Sequence, residues 1–483
     1  MNERHRNTAN FSESAFAIQK AQANLIEDID TVNEQRQLYE LGVIVTDRYR
    51  KDVGNLVSNE SEMLELETRI EAYQKKWHIP LVSTVASRPH AILDIIRRHP
   101  KTLQARSLVM VPIATLMDIS NRSTFGIYIK GESPLNPETA IYNNEFITLT
   151  HSPYWRRLMG KHAVRMAERF GKTGIPFNLI MVGDGSGALG ADMMKAVADQ
   201  GANTHLYHID IADSMIEKQR ETYERAGIDP KRIRGVNADI TNMQHSLQEF
   251  GVDTGFIVAH EVLDSLRTHS LLVGPHGVRE LYQEISLEGQ SLQAFLTEDP
   301  LLCDLVRFFP WLKHGEGKFL TPRGEKMVPF APMWINALKE MTTMIKQGAI
   351  YVGDYHGQFA LEAYNQLPTR VYGKAVEEQD RHNYLAVLDR TTDMTTDIPP
   401  SILYLSQRWG GKVEFIGTQS EFLSIVEPNL TSEIPQRLEQ IRGHALKRQY
   451  KAGDAAKFIE DDLYVTQIAG TGLFGSLIVK GIA

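Results

Sequence analysis

One stretch narrows the folds open to this chain more than any other. In "FNLIMVGDGSGALGADMM", Phe177 to Met194, an apolar run enters four glycines within eight residues and leaves as a helix-like pattern. Glycine weakens strands and helices alike. Its concentration at their junction means a sharp turn, or a group that comes close to the main chain. The texture that follows is regular. "NTHLYHID" reads as a second strand and "SMIEKQRETYERAG" as a second helix. "RIRGVNADI" reads as a third strand and "TGFIVAHEVLD" as a fourth, and "AIYVGDYHG" as a fifth after the helix "APMWINALKEMTTMIKQG". Short apolar strands alternating with helices predict βαβ units, a parallel sheet and an α/β fold.

The rest of the chain divides around this core. Residues 1–122 read as a helical extension: "SEMLELETRIEAYQKKW" sets Leu64, Ile70 and Tyr73 near helical spacing, and Ala15–Tyr49 is poor in glycine and proline. Residues 123–275 form the first part of the core, opening with loop and short strand to about Thr150. Residues 276–330, from "HGVRELYQEISLEG", are expected as an inserted lobe built on a hairpin, and 331–430 as the second part of the core. In the C-terminal extension, 431–483, the last twenty residues fit either a strand or a docking tail.

Ligands of parallel sheets sit beyond the carboxyl ends of the strands. The loop of Gly183, Gly185 and Gly187 therefore offers backbone N–H groups at a helix start to a nucleotide-like ligand. Asp210 ends the second strand, about 20 residues on, where a carboxylate takes ribose hydroxyls. Asp239 ends the third and can accept an adenine amine, with Ile211 and Ile240 beside the two acids. Asp184, directly after the first loop glycine, would repel a pyrophosphate but suits the cationic amino end of a methionine moiety. These features fit S-adenosylmethionine better than a nicotinamide cofactor. Past the fourth strand lie His260, Glu261 and Asp264, and at the end of the fifth Asp354 and Tyr355. Several carboxylates near a methyl donor suit a cationic acceptor such as a guanidinium, which pairs with them through its N–H fork. A carboxylate there can also take the proton lost on transfer. Glu261, Asp264 and His260 are the catalytic candidates, with Asp354 and Tyr355 as substrate contacts.

Six segments in order, "YNNEFITLTHSPYWRRLMGKHAV", "VGDGSGALGADMM", "AHEVLDSL", "GDYHG", "TTDMTTDIPPSILYL" and "GGKVEFIGTQSEFL", resemble the motifs of the MidA family of S-adenosylmethionine-dependent methyltransferases. That family includes a mitochondrial assembly factor of respiratory complex I. The resemblance implies a class I, Rossmann-like methyltransferase sheet with an inserted substrate lobe. It also implies an arginine of a partner protein as acceptor. This chain departs from the family at His260, where the family has asparagine, at Ser265-Leu266-Arg267, which lacks its proline, and at Thr148-Leu149.

Composition limits the partners. A net charge of -8 offers no basic field for nucleic acid, and no apolar run reaches the ~18 residues of a membrane span. The lone Cys303 rules out an internal disulfide framework, the scattered histidines have no metal-ligand spacing, and the N-terminus has no secretory pattern. The expectation is a cytoplasmic enzyme with a protein or small-molecule acceptor and no metal, its helical extension offering a surface for a homodimer. A small-molecule O-, N- or C-methyltransferase and a non-catalytic assembly protein on the same fold remain open.

Overall fold

Seven strands realise the expected alternation. In the computed structural model they are β1 (Asn178–Val182), β2 (His205–Asp210), β3 (Ile233–Asn237), β4 (Thr254–His260), β5 (Gln347–Tyr355), β6 (Lys412–Thr418) and β7 (Leu473–Lys480). The structure describes residues 22–30, 32, 53–76, 88–98, 102–105, 108–123, 126–129, 148–274, 277–286, 291–296, 300–309, 326–356, 369–372, 383–389, 392–446, 454–470 and 472–482. Across the sheet the order is β6-β7-β5-β4-β1-β2-β3. Neighbours from β5 through β4, β1 and β2 to β3 run parallel, while β7 is antiparallel to both β5 and β6. Strand order reverses between β1 and β4. The crevice at their carboxyl ends is where such a sheet binds ligands.

Helices cover both faces, so the central strands are buried on both sides and read as continuous apolar runs rather than alternating ones. One core packs Ile180, Val182, Ile257 and Ile350 against the helix Pro332–Met344 and its Trp334. The other packs Leu179, Met181, Phe256 and Val258 against the helices Pro153–Thr173 and Ala188–Ala198. The C-terminal choice between strand and tail resolves as strand. β7 lies inside the sheet, and Gly475 lets Phe422 pack onto it, because a Cβ there would stand 2.7 Å from the Phe422 Cβ. The last residues are thus part of the core rather than an extension.

A second sheet forms the lobe, and it corrects the expected boundaries. The stretch expected as a hairpin forms one strand, Gly277–Ser286, which pairs with His269–Gly274, so the lobe starts at His269 rather than 276. It also recruits Leu103–Ala105 and Leu108–Pro112 from the extension, so that region is not purely helical. Within the helix Glu60–Lys76 the buried stripe is Met63, Leu66, Ile70 and Tyr73, whereas Leu64 is 59% exposed. Met63 and Ile70 lie two turns apart on one face, while Leu64 stands about 120° away from Ile70 at 3.6 residues per turn. The expected helix over Ala15–Tyr49 lies outside the described residues except for 22–30 and 32. So do most of the loop segment 123–150 and residues 287–290 and 310–325 of the lobe.

Candidate active site

The glycine loop has the backbone its composition demands. Gly183, Gly185 and Gly187 all take left-handed φ, +61°, +51° and +83°, a region closed to side-chain-bearing residues at low cost. A Cβ on Gly187 would stand 3.0 Å from the Cα of Gln219, and one on Gly190 would stand 2.6 Å from Asp184 Oδ2. The loop therefore packs against both the helix Asp213–Arg225 and its own acid.

Beyond it opens a cavity. Gly183, Gly185, Asp210, Ile211, Asp239, Ile240 and Glu261 all line it, so residues singled out far apart in the chain meet there. Val182, Ile209, Met215 and Ala238 make its apolar wall. Three further lining residues, Asn121, Arg122 and Tyr128, come from upstream of the glycine loop, where no motif points to chemistry.

Each acid has a different setting. Asp210 accepts bonds from Ala212 N at 3.2 Å and Gln219 Nε2 at 3.0 Å, and burial raises its pKa to about 6. Asp239 caps the turn Ile240–Asn242, its Oδ1 accepting from Thr241 N at 2.9 Å and Thr241 Oγ1 at 2.8 Å, and its Oδ2 pairs with Arg122. Asp184 does not line the cavity. It accepts from Gly190 N at 3.0 Å and from Tyr223 Oη at 2.7 Å, and burial raises its pKa to about 7. These bonds give it the place of a brace for the loop.

Glu261 is the one non-glycine residue among the described ones with left-handed φ, +52°. Strain of this kind persists only where the surroundings fix it. Here the Glu261 N–H donates to Gly353 O at 2.8 Å as the chain leaves β4. Its Oε1 accepts from Leu149 N and its Oε2 from Tyr355 Oη, both at 3.2 Å. His260 stands outside the cavity, its ring between Trp155 and Tyr351 at centroid distances of 4.4 and 6.0 Å, with Nε2 3.0 Å from Glu261 Oε1. The ring is thus packed beside Glu261 rather than exposed in the cavity.

Asp264 and Asp354 are buried behind Glu261. Asp354 accepts from three backbone amides, Leu263 N at 2.9 Å, Asp264 N at 3.3 Å and Tyr355 N at 2.8 Å, and so ties β5 to the turn after β4. Burial raises both pKa values well above the ordinary carboxylate range, helped at Asp264 chiefly by the charge of Asp354 and at Asp354 by that of Glu261. Asp393, from the strand Asp393–Thr396, joins them, raised to about 7 by burial. Asn121 holds that strand in place: its Nδ2 donates to Met394 O at 2.7 Å and to Ser265 O at 3.0 Å. Among the described residues no group of three or more His, Cys, Asp or Glu could hold a metal ion.

A glycine loop, two strand-end acids in one cavity and a sheet whose seventh strand is antiparallel define a class I methyltransferase. A family model described as "Putative S-adenosyl-L-methionine-dependent methyltransferase" matches residues 158–399, half of the chain. The chain belongs to this family, and S-adenosylmethionine is its methyl donor. Among solved structures it is similar to a protein from Burkholderia thailandensis described as a "likely methyl transferase" bound to S-adenosyl-homocysteine. The identity is 16% and the TM-score 0.58, over 84% of this chain and 96% of that one. A second structure of an uncharacterized Burkholderia thailandensis protein matches at 15% identity and TM-score 0.57, with the same coverage. At such identity these show the shared fold. No curated protein matches the sequence. No helix among the described residues is long and apolar enough to cross a membrane.

The setting of Asp210 gives a pH dependence for donor binding. Ribose hydroxyls donate to an ionised carboxylate, and a proton on Asp210 competes with them. With its pKa raised to about 6, affinity for S-adenosylhomocysteine should hold above that pH and fall about tenfold per unit below it. Among the described residues, Asp184 on the loop, Tyr223 and His208 beside Gln219, and Arg122, Tyr128, Asp239 and Glu261 lining the same cavity are titratable groups in its surroundings. Titration calorimetry across this range checks the slope. Asp210→Asn should flatten it and Asp184→Asn should not, and a wild-type profile flat through pH 6 would refute the assignment.

Proposed function

We propose that this methyltransferase alkylates a nitrogen of a cationic acceptor, a guanidinium side chain presented by a partner protein. The observation that carries this reading is the position of Glu261: it is the one acid of the Glu261, Asp264, Asp354 and Asp393 group that lines the donor cavity. Its Oε1 accepts from Leu149 N and its Oε2 from Tyr355 Oη, and the lone pairs left over suit a paired N–H fork. Holding the guanidinium localises a lone pair on the attacking nitrogen, and most of the acceleration comes from alignment with the methyl donor. The order of the MidA-like motifs supports the same acceptor class. The charge of -8 and the single cysteine support a cytoplasmic protein partner rather than nucleic acid.

The test is transfer of labelled methyl from S-adenosylmethionine into a cell extract, followed by mass spectrometry. Label on an arginine side chain is the expected result. Label confined to metabolites would replace this reading with a small-molecule methyltransferase.

A further inference from the structure

The helix Asp213–Arg225 carries a residue that composition alone makes unremarked, Gln219. It is fully buried and faces the glycine loop. Its Nε2 uses its two hydrogens on two different elements. One goes to Asp210 Oδ2 at 3.0 Å, at the end of β2, and the other to Gly185 O at 3.3 Å, in the loop after β1. Its Oε1 lies 2.9 Å from Nδ1 of His208, also fully buried.

This arrangement has one consistent set of hydrogens. A carboxylate and a carbonyl both need donors, so the amide NH2 must face Asp210 and Gly185. The amide oxygen then faces His208, which must carry its proton on Nδ1. Burial lowers the His208 pKa and keeps the ring neutral. Its Nε2 has no hydrogen-bond partner among the described residues, which agrees with the unprotonated nitrogen lying there. Two glycines make room for the network. Gly187 admits the Gln219 backbone, and on β3 a Cβ at Gly235 would stand 3.1 Å from His208 Nε2.

We infer that Gln219, held by His208, is a positioning residue for the methyl donor: it aims the Asp210 carboxylate at the ribose and locks the Gly185 turn in register with it. The two elements an adenosyl group straddles are thereby joined by one buried amide. The inference rests on the donor assignment above. It also has an electrostatic consequence, because the Gln219 bond opposes the rise that burial imposes on Asp210. Removing the amide makes that carboxylate easier to protonate.

The experiment is calorimetry of S-adenosylhomocysteine on the full chain and on Gln219→Leu and Gln219→Glu, at neutral pH and in steps below it, with a melting curve for each. A hydrogen bond to a charged group is at stake, so Gln219→Leu should weaken binding by about tenfold or more. The pH at which affinity begins to fall should move upward. Gln219→Glu keeps the shape and sets a second carboxylate against Asp210, so it should weaken binding while the fold survives. A purely structural role would lower the melting temperature without moving the pH profile. Wild-type affinity and an unmoved profile in both variants would overturn the inference while leaving the donor reading intact. A wild-type chain that does not bind S-adenosylhomocysteine would overturn the donor reading itself, and this inference with it.

Discussion

Glu261→Gln should cut methyl transfer by about 10²–10⁴-fold, the range of a lost acid–base or charge-positioning group, while S-adenosylhomocysteine affinity stays within about threefold, well under 1.4 kcal/mol. The substitution isolates charge because the site can accept the amide without rearranging. With its oxygen toward Leu149 N and its NH2 toward Tyr355, the glutamine keeps one bond as it stands. The tyrosine hydroxyl turns from donor to acceptor on the other side. Left-handed backbone at position 261 costs glutamine about what it costs glutamate, so stability changes little. What disappears is the negative charge at the cavity wall. Without it a guanidinium loses its paired acceptor, and no ionised group there takes the departing proton. Labelled transfer into extract, run beside calorimetry on the same preparation, separates the two quantities. Transfer at the wild-type rate would remove Glu261 from the chemistry.

The parts of this site that the sequence made legible share one property: their meaning is local. Gly183, Gly185 and Gly187 stand together at a strand–helix junction, and only a turn with left-handed backbone explains three of them. Asp210 and Asp239 end apolar runs, and in a parallel sheet strand ends converge on one edge. The hidden parts depend on contacts across the chain. Arg122 reaches Asp239 over 117 positions, and Asn121 reaches Met394 over 273. No pattern within a helix reports such a partner. Gln219 was hidden differently, since a polar residue inside an amphipathic helix reads as solvent-facing. Asp184 and Asp354 looked like ligand contacts because they sit at strand ends. Backbone and hydroxyl donors near in space bond to them instead. β7 escaped a firm reading because Gly470, Gly472 and Gly475 suit a loop as well as a strand packed closely on a neighbour.

Gly187→Ala should damage both the fold and donor binding, and comparison with Gly185→Ala shows why the two glycines are not equivalent. At 187 the backbone holds φ at +83°, and an added Cβ would stand 3.0 and 3.1 Å from the Cα and carbonyl oxygen of Gln219 and 3.2 Å from the Tyr223 ring. Main-chain atoms inside a helix cannot rotate away as a side-chain tip can. The alanine therefore carries a left-handed penalty and an overpacking penalty together, about 2–5 kcal/mol. Relief comes only by pushing the helix Asp213–Arg225 off the loop, which withdraws Gln219 from Asp210 and Gly185. At 185 the φ is +51° and, beyond its chain neighbours, no atom of the described residues lies within 4 Å of the added carbon, so the fold bears the left-handed penalty alone, about 1–2 kcal/mol. Gly185 lines the cavity, however, and its methyl enters space the donor needs. Thermal unfolding and S-adenosylhomocysteine calorimetry on both variants should therefore split. Gly187→Ala melts well below wild type and binds at least tenfold more weakly, whereas Gly185→Ala melts close to wild type and still loses affinity. If Gly185→Ala binds as tightly as wild type, the adenosyl group does not pass over this loop, and the cavity beside it serves another ligand.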